Sequence, residues 1–141
     1  MISYQSEDVK LPKIERRKYS AWIKAVAQQY GKEIGSIAYV FCSDQRLLEV
    51  NQQFLGHNYF TDIITFDDCE DDVLHGDIMI SVDTVAKNAK EYQVPFEEEL
   101  RRVIIHGILH LTGQNDKTEP EFNEMKQKEN LALALYKEMN S

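Results

Sequence analysis

The pattern of apolar and polar positions predicts five helices and four short strands. Apolar residues recur at helical spacing in five stretches, which are residues 11–30, 43–56, 81–92, 96–112 and 118–139. Apolar, β-branched or aromatic runs predict strands at residues 2–4, 36–41, 63–66 and 76–81. The order is β-α-β-α-β-β-α-α-α, with two adjacent strands among helices. We therefore expect the α+β class, with a small mixed sheet of about four strands packed with about five helices.

Helix-capping residues mark most of the predicted helix ends. Glycine follows the first, second and fourth helical stretches, at Gly31, Gly56 and Gly113. Thr118 opens the last stretch and Glu121 follows three residues later, which is the spacing of a capping box. The boundaries are therefore predicted from chemistry that is independent of the apolar periodicity.

The helix predicted at residues 96–112 is apolar on almost every side. Its apolar positions are Leu100, Val103, Ile104, Ile105, Gly107, Ile108, Leu109 and Leu111. One polar line remains, made of Glu99, Arg102, His106 and His110. We therefore predict a central helix, buried on most sides, whose histidines border a cleft.

The two histidines of this helix, together with Asp116, predict a metal site. Side chains four apart lie over one another on a helix, so both imidazoles can reach one ion. Gly113 allows the chain to reverse, which can bring Asp116 back to the same ion. Two imidazoles and one carboxylate leave a fourth position for water, as in catalytic zinc sites. The alternative is that the histidines form only the polar edge of an amphipathic helix.

Gly107 excludes the HExxH motif of zinc proteases, because no glutamate follows His106.

Composition predicts one globular domain over residues 1–141. Hydrophobic residues make up 43% and charged residues 28% of the chain. No apolar run approaches the roughly 20 residues of a membrane span, and the first residues do not resemble a secretory signal. Cys42 and Cys69 form no CxxC motif, which favours a reducing compartment over a thiolate zinc site. We therefore expect a cytoplasmic protein with no membrane contact.

The charge is acidic and unevenly distributed. The net charge is −8, and residues 62–83 contain eight acids but no Lys or Arg. Residues 10–24 carry six basic residues against Glu15 alone. This basic stretch is either a solvated helix face or a local RNA contact. The acidic run at residues 67–72 should be a solvated loop away from any RNA cleft, because it would repel phosphate.

Several segments together resemble the YbeY family of rRNA-maturation endoribonucleases. The segment HGILHLTG, followed by Asp116, is similar to that family's HGxLHLxGxDH signature. TDIITF at residues 61–66 and GDIMIS at residues 76–81 resemble two of its strands, and residues 51–54 resemble its Asn-rich helix end. Met125 and Glu129 fall where its last helix carries a similar pair. The resemblance covers residues 40–135.

The resemblance implies a small, cytoplasmic, metal-dependent enzyme that cleaves single-stranded RNA. It implies a role in 16S rRNA 3′-end maturation and in quality control of 70S ribosomes, with rRNA and ribosomal particles as partners. It also implies one Zn²⁺ per chain, with other divalent ions as alternatives. Three histidines bind the metal in the family, and two of those positions match His106 and His110. The oligomeric state and the attacking group, hydroxide or ribose 2′-OH, stay open.

The chain departs from the family pattern at three positions. Asp116 replaces the third histidine, Asn115 replaces the preceding acid, and Leu55 falls where the family has a basic residue. Arg102 or His57 is the candidate to replace the missing cation beside phosphate. If neither does, the alternative is a metal-stabilised, ribosome-associated protein with weak or no nuclease activity; a metallohydrolase for another substrate is a weaker third hypothesis.

Two further carboxylates are open at this stage. Asp77 either accepts a hydrogen bond from a ligand histidine or caps a turn. Asp62, which enters a strand with Thr61, either lines the cleft or bonds within a turn.

Overall fold

The computed structural model describes residues 1–141 and contains four strands and five helices. The strands are β1 (Ile2–Ser6), β2 (Glu33–Cys42), β3 (Ile63–Asp67) and β4 (Val73–Ser81). The helices are α1 (Arg16–Gln29), α2 (Asp44–Leu55), α3 (Val82–Glu91), α4 (Phe96–Leu111) and α5 (Glu119–Met139). The predicted α+β class and the predicted order of elements are confirmed.

The four strands form one mixed sheet in the order β1-β2-β4-β3. β1 pairs parallel with β2, and β2 pairs parallel with β4. Each of these pairs is joined through at least one helix, as parallel neighbours require. β3 pairs antiparallel with β4, with Ile63 opposite Ile80, because only the short acidic turn separates these two strands. β3 therefore lies at an edge beside β4.

Helix α4 is the central helix, as predicted. It contacts α1, α3, α5 and the strands β3 and β4. Ile104, Ile105, Ile108 and Leu109 are fully buried. A Cβ atom on Gly107 would lie 3.1 Å from the side chains of Ile63 and Ile78, so glycine allows α4 to pack closely on the sheet.

Two details of the predicted helices are wrong. The first helix begins at Arg16 rather than near residue 11. Leu11 and Ile14 pack against the core from an irregular segment, so their helix-like spacing reflects burial alone. Phe122 is an apolar residue of the helical stretch predicted at residues 118–139, where it should face the core, yet it is 54% exposed.

The predicted helix ends are largely confirmed. Gly56 ends α2 in the left-handed conformation, and Thr118 and Glu121 form both bonds of the capping box of α5. None of the five helices combines the length and apolar character needed to cross a membrane.

Candidate metal centre

The structure brings His106, His110 and Asp116 together. The Nε2 atoms of His106 and His110 each lie 3.4 Å from Oδ2 of Asp116. One ligand atom from each residue lies within 4.8 Å of the other two. The two imidazoles come from adjacent turns of α4, and the carboxylate comes from the loop before α5.

The loop that carries Asp116 is held by polar contacts on both sides. Gly113 adopts φ 106°, which lets the chain turn back at the end of α4. The buried side-chain amide of Gln114 donates to the carbonyl oxygen of Asn115 at 2.8 Å and accepts from Lys128 at 2.7 Å. Thr118 then begins α5 through its capping box. Asp116 is therefore placed by a short, tied connection between two helices.

Hydrogen bonds on the far side of each imidazole leave both Nε2 atoms free to coordinate. Nδ1 of His110 lies 2.9 Å from the carbonyl oxygen of Gln114, which can only accept, so this nitrogen carries the proton. Nδ1 of His106 lies 2.6 Å from the carboxylate of Glu129 and donates to it. In the neutral imidazoles the Nε2 lone pairs therefore face Asp116.

This donor set fits a divalent cation. Metal–ligand distances of about 2.1 Å in a tetrahedral site put ligand atoms roughly 3.4 Å apart, which matches both histidine–aspartate distances. Two lone pairs facing a carboxylate oxygen repel each other unless a positive charge lies between them. Two imidazole nitrogens and one carboxylate oxygen are ordinary ligands for such an ion.

Glu129 on α5 supports the site from behind. Its carboxylate is buried, with Oε2 on His106 and Oε1 accepting from Arg102 at 2.9 Å. Arg102 also donates to the side chain of Asn130 at 2.8 Å. Burial by itself raises the pKa of Glu129, but the bonds from His106 and Arg102 outweigh it and lower that pKa. Glu129 is therefore a carboxylate that orients His106.

The sequence contains a sign that Glu129 has a partner in the core, although apolar periodicity alone does not reveal it. Residues 125, 129, 132, 133 and 136 follow one face of α5, and all five are buried. Glu129 is the only charged member of that line, and buried carboxylates require partners. The orienting role left open for Asp77 is not observed, because Asp77 is exposed on β4.

The pKa values of the two histidines are shifted in opposite directions. Burial lowers the pKa of His106, but the bond to Glu129 and its charge outweigh this, so the pKa is raised overall. For His110, burial and the neighbouring His106 lower the pKa. Burial also raises the pKa of Asp62, which lies near His106.

Two cavities adjoin the three candidate ligands, one at His106 and the other at His110 and Asp116. The His106 cavity, of about 440 Å³, is lined by His106, Asp62, Arg102 and Glu129 among others. The His110 cavity, of about 460 Å³, is lined by His110, Asp116, Leu55, His57 and Lys117 among others. The two cation candidates, Arg102 and His57, therefore line different cavities.

The position of the acidic run requires a correction. Its residues are largely exposed, as predicted, but Asp67 lines the His110 cavity instead of lying away from it. Asp67 ends β3, and the pairing of β3 with β4 carries it to the cleft. Thr61 and Asp62 also line the cleft, one in each cavity.

Comparison with known proteins assigns the family. A family model described as Endoribonuclease YbeY matches residues 1–137. The chain belongs to the YbeY family. Endoribonuclease YbeY of Phocaeicola vulgatus is 58% identical over 135 residues, covering 96% of this chain and 98% of that protein. Endoribonuclease YbeY of Bacteroides fragilis is 56% identical over 137 residues, covering 97% and 99%.

A solved structure shares the fold of this YbeY-family chain. The solution structure of TM1509 from Thermotoga maritima has a TM-score of 0.65 and 25% sequence identity to this chain. The match covers 98% of this chain and 93% of that one. The YbeY resemblance inferred from short segments extends over almost the whole chain, since the family model and both relatives cover nearly all of it.

Proposed function

We propose that the chain is a metal-dependent endoribonuclease that cleaves single-stranded RNA. The observation that carries the proposal is the convergence of His106, His110 and Asp116, with both Nε2 atoms 3.4 Å from one carboxylate oxygen. The names of the relatives favour a nuclease over a metal-stabilised protein with little activity. Family membership further supports a role in 16S rRNA 3′-end maturation and ribosome quality control, in the cytoplasm.

The protein's own residues hold and orient the reacting groups. A bound divalent cation, which we propose to be zinc, supplies a Lewis acid that activates water or polarises a phosphate oxygen. His106, His110 and Asp116 would hold the ion, and the Glu129 carboxylate keeps the Nδ1 proton on His106. The two cavities leave space for the RNA strand beside the ligands.

Leu55 leaves the His110 cavity without the basic residue expected from the family. We propose that Arg102 or His57 offsets the charge that develops on the phosphate oxygens. Removing such a group typically lowers the cleavage rate by about 10²–10³-fold. Arg102→Ala should also loosen Glu129, because the guanidinium bonds directly to that carboxylate. Unchanged cleavage in both Arg102→Ala and His57→Ala would exclude this role.

Asp116 should change the ion preference of the site. A carboxylate lowers the net charge of the site by one relative to a third histidine, and harder ions such as Mn²⁺ then compete better with zinc. Metal analysis of protein purified without added metal should detect a divalent ion that Asp116→Ala loses. Unchanged metal content in that variant would remove Asp116 from the site.

The decisive experiment is cleavage of a defined single-stranded RNA by the metal-loaded protein. Chelator and His106→Ala should each abolish cleavage, whereas His75→Ala should retain it, because His75 lies outside both cavities. A 2′,3′-cyclic phosphate on the product would identify the ribose 2′-OH as the nucleophile. Cleavage that survives both chelator and His106→Ala would refute the proposal.

A further inference from the structure

A cluster of large apolar side chains is exposed where α2 ends. Phe54, Leu55, Tyr59 and Phe60 are 62%, 45%, 57% and 60% exposed. Residues 50–61 contain no Asp, Glu, Lys or Arg, although charged residues make up 28% of the chain. Grouped apolar side chains on the surface of an acidic protein mark a contact site more often than isolated ones do.

The loop that carries these side chains is ordered by polar bonds to α2. The side-chain amide of the buried Asn51 donates to the carbonyl oxygen of Tyr59 at 2.9 Å, and the backbone carbonyl of Asn51 accepts from the backbone N–H of His57 at 3.1 Å. Gln52 donates to the side chain of Asn58. Gly56 permits the turn with φ 68°. These bonds hold the backbone of the loop in place before any ligand arrives, which lowers the entropy cost of binding.

The rings of His57 and Tyr59 in this loop are stacked nearly parallel to each other. The rings of His57 and Tyr59 have centroids 5.1 Å apart and planes 18° apart. The Tyr59 hydroxyl and Nδ1 of His57 are 3.0 Å apart, so a hydrogen bond fixes their relative orientation. Both residues are exposed, and both line the His110 cavity with His110 and Asp116. The stack is therefore continuous with the candidate metal centre.

We propose that the His57–Tyr59 pair is a base-binding platform, on which one unpaired base of RNA stacks while its phosphate reaches the metal centre. The proposal rests on the proposed function and adds the residues that select single strands. Aromatic faces accept any exposed base, whereas bases in a duplex are already stacked on their neighbours.

Charge favours a base over the other possible occupants of this surface. Lys117 is the only Lys or Arg that lines the His110 cavity, and the whole chain has a net charge of −8. Few phosphate contacts are therefore available there, so much of the affinity for RNA must come from uncharged contacts. The uncharged segment of residues 50–61 supplies them without repelling the strand.

The test is a double-mutant cycle between Tyr59 and the RNA bases. Binding of a fluorescent single-stranded RNA octamer to the metal-loaded protein is read by stopped-flow anisotropy, before cleavage can change the signal. Tyr59→Ala should weaken binding by roughly 5- to 150-fold, and Tyr59→Leu should resemble alanine. Tyr59→Phe keeps the ring and loses only the hydrogen bond to His57, so it should weaken binding much less than alanine does. A set of octamers, each with one abasic nucleotide at a different position, should identify the base that contacts Tyr59. Removing that base should weaken binding to the wild type but should not weaken binding to Tyr59→Ala any further.

The matched control is Leu131→Ala, which removes an apolar side chain that is 66% exposed and lines neither cavity. It should bind RNA as the wild type does. The proposal is overturned if RNA does not bind, or if no base position is coupled to Tyr59. It is also overturned if sedimentation shows a dimer that Tyr59→Ala dissociates, since the loop would then contact a second copy.

Cleavage measured on the same samples separates this inference from the proposed function. Coupled binding without cleavage would reject the nuclease and keep the platform. Cleavage without coupling would keep the nuclease and reject the platform.

Discussion

Single hydrogen bonds decide which nitrogen of each candidate histidine ligand faces Asp116. His106 and His110 have two nitrogens each, and an acceptor placed on Nδ1 leaves Nε2 for the metal. The two acceptors differ, since Gln114 offers a neutral carbonyl oxygen and Glu129 a buried charge. The chemistry of the site therefore depends on residues that do not bind the ion themselves.

Glu129→Gln should lower zinc affinity by about 10–100-fold, the usual cost of losing an outer partner of a metal ligand. The amide keeps the size of the side chain but loses the charge that stabilises His106 and Arg102. Competition with a fluorescent zinc chelator measures the change. Glu124→Gln, at an exposed position of the same helix, is the control and should behave as wild type.

Zinc should raise the melting temperature more at about pH 8 than at about pH 5.5, because only neutral imidazoles bind metal. The pKa of His106 is raised above its ordinary value of 6.5, so the proton competes with zinc to a higher pH than at an ordinary histidine. In chelated protein the contribution of His106 has the opposite sign. Protonated His106 stabilises the fold fully below the unfolded pKa, and this contribution is lost as the pH rises through the folded pKa.

Differential scanning fluorimetry with zinc or with chelator measures both effects, and His75→Gln serves as a control histidine outside the cavities. An equal zinc-dependent shift at the two pH values would show that His106 does not exchange a proton for the metal.

Helix α4 joins the core to the candidate site. One side packs on the sheet through Gly107, and the polar line carries His106 and His110, which line the two cavities. The buried Tyr39 hydroxyl donates to the backbone carbonyl of Ile104 at 2.9 Å, which ties this helix to β2. The position of the two imidazoles is therefore set by the depth at which α4 lies against the sheet.

Gly107→Val should destabilise the protein by about 1–3 kcal/mol, the typical cost of overpacking. A Cβ atom alone would already lie 3.1 Å from the side chains of Ile63 and Ile78, and valine adds two methyl groups beyond it. Urea unfolding measures the loss. Ala134→Val, at an exposed position of α5, should cost only a few tenths of a kcal/mol. Equal effects of the two substitutions would show that α4 does not depend on close approach at Gly107.

At the scale of the whole molecule, an acidic protein has to bind an anionic polymer. Six basic residues at positions 10–24 are exposed on or before α1, and none lines either cavity. This location favours the solvated face over the RNA contact that the sequence left open. The cations that do line the cavities are Arg102, Lys126 and Lys117.

RNA binding should therefore depend weakly on salt. Each phosphate contact to a single strand contributes a slope of about −0.7 in log affinity against log salt, so three cations give at most about −2. Titration of single-stranded RNA across a range of salt concentrations measures the slope. A slope near −4 that flattens in Lys13→Ala or Arg17→Ala would instead place the basic stretch in contact with RNA.

Local sequence determined the helices and strands and several of the helix ends. Apolar periodicity, Gly56 and the Thr118–Glu121 pair act over a few residues, so the order of helices and strands could be predicted without long-range information. The same holds for His106 and His110, because four residues along a helix set their spacing. Local spacing also produced the wrong start of the first helix. Leu11 and Ile14 pack against the core from an irregular segment, and their spacing resembles that of a helix.

Only the tertiary structure decided which distant residues meet. Glu129 reaches His106 across 23 positions because α5 packs on α4, and Asp67 reaches the cleft because β3 pairs with β4. The His57–Tyr59 stack is local, but its place beside His110 depends on where α2 ends relative to α4. Periodicity describes the faces of an element, whereas the choice of neighbour is made by the packing of the whole core, which no short window of sequence contains.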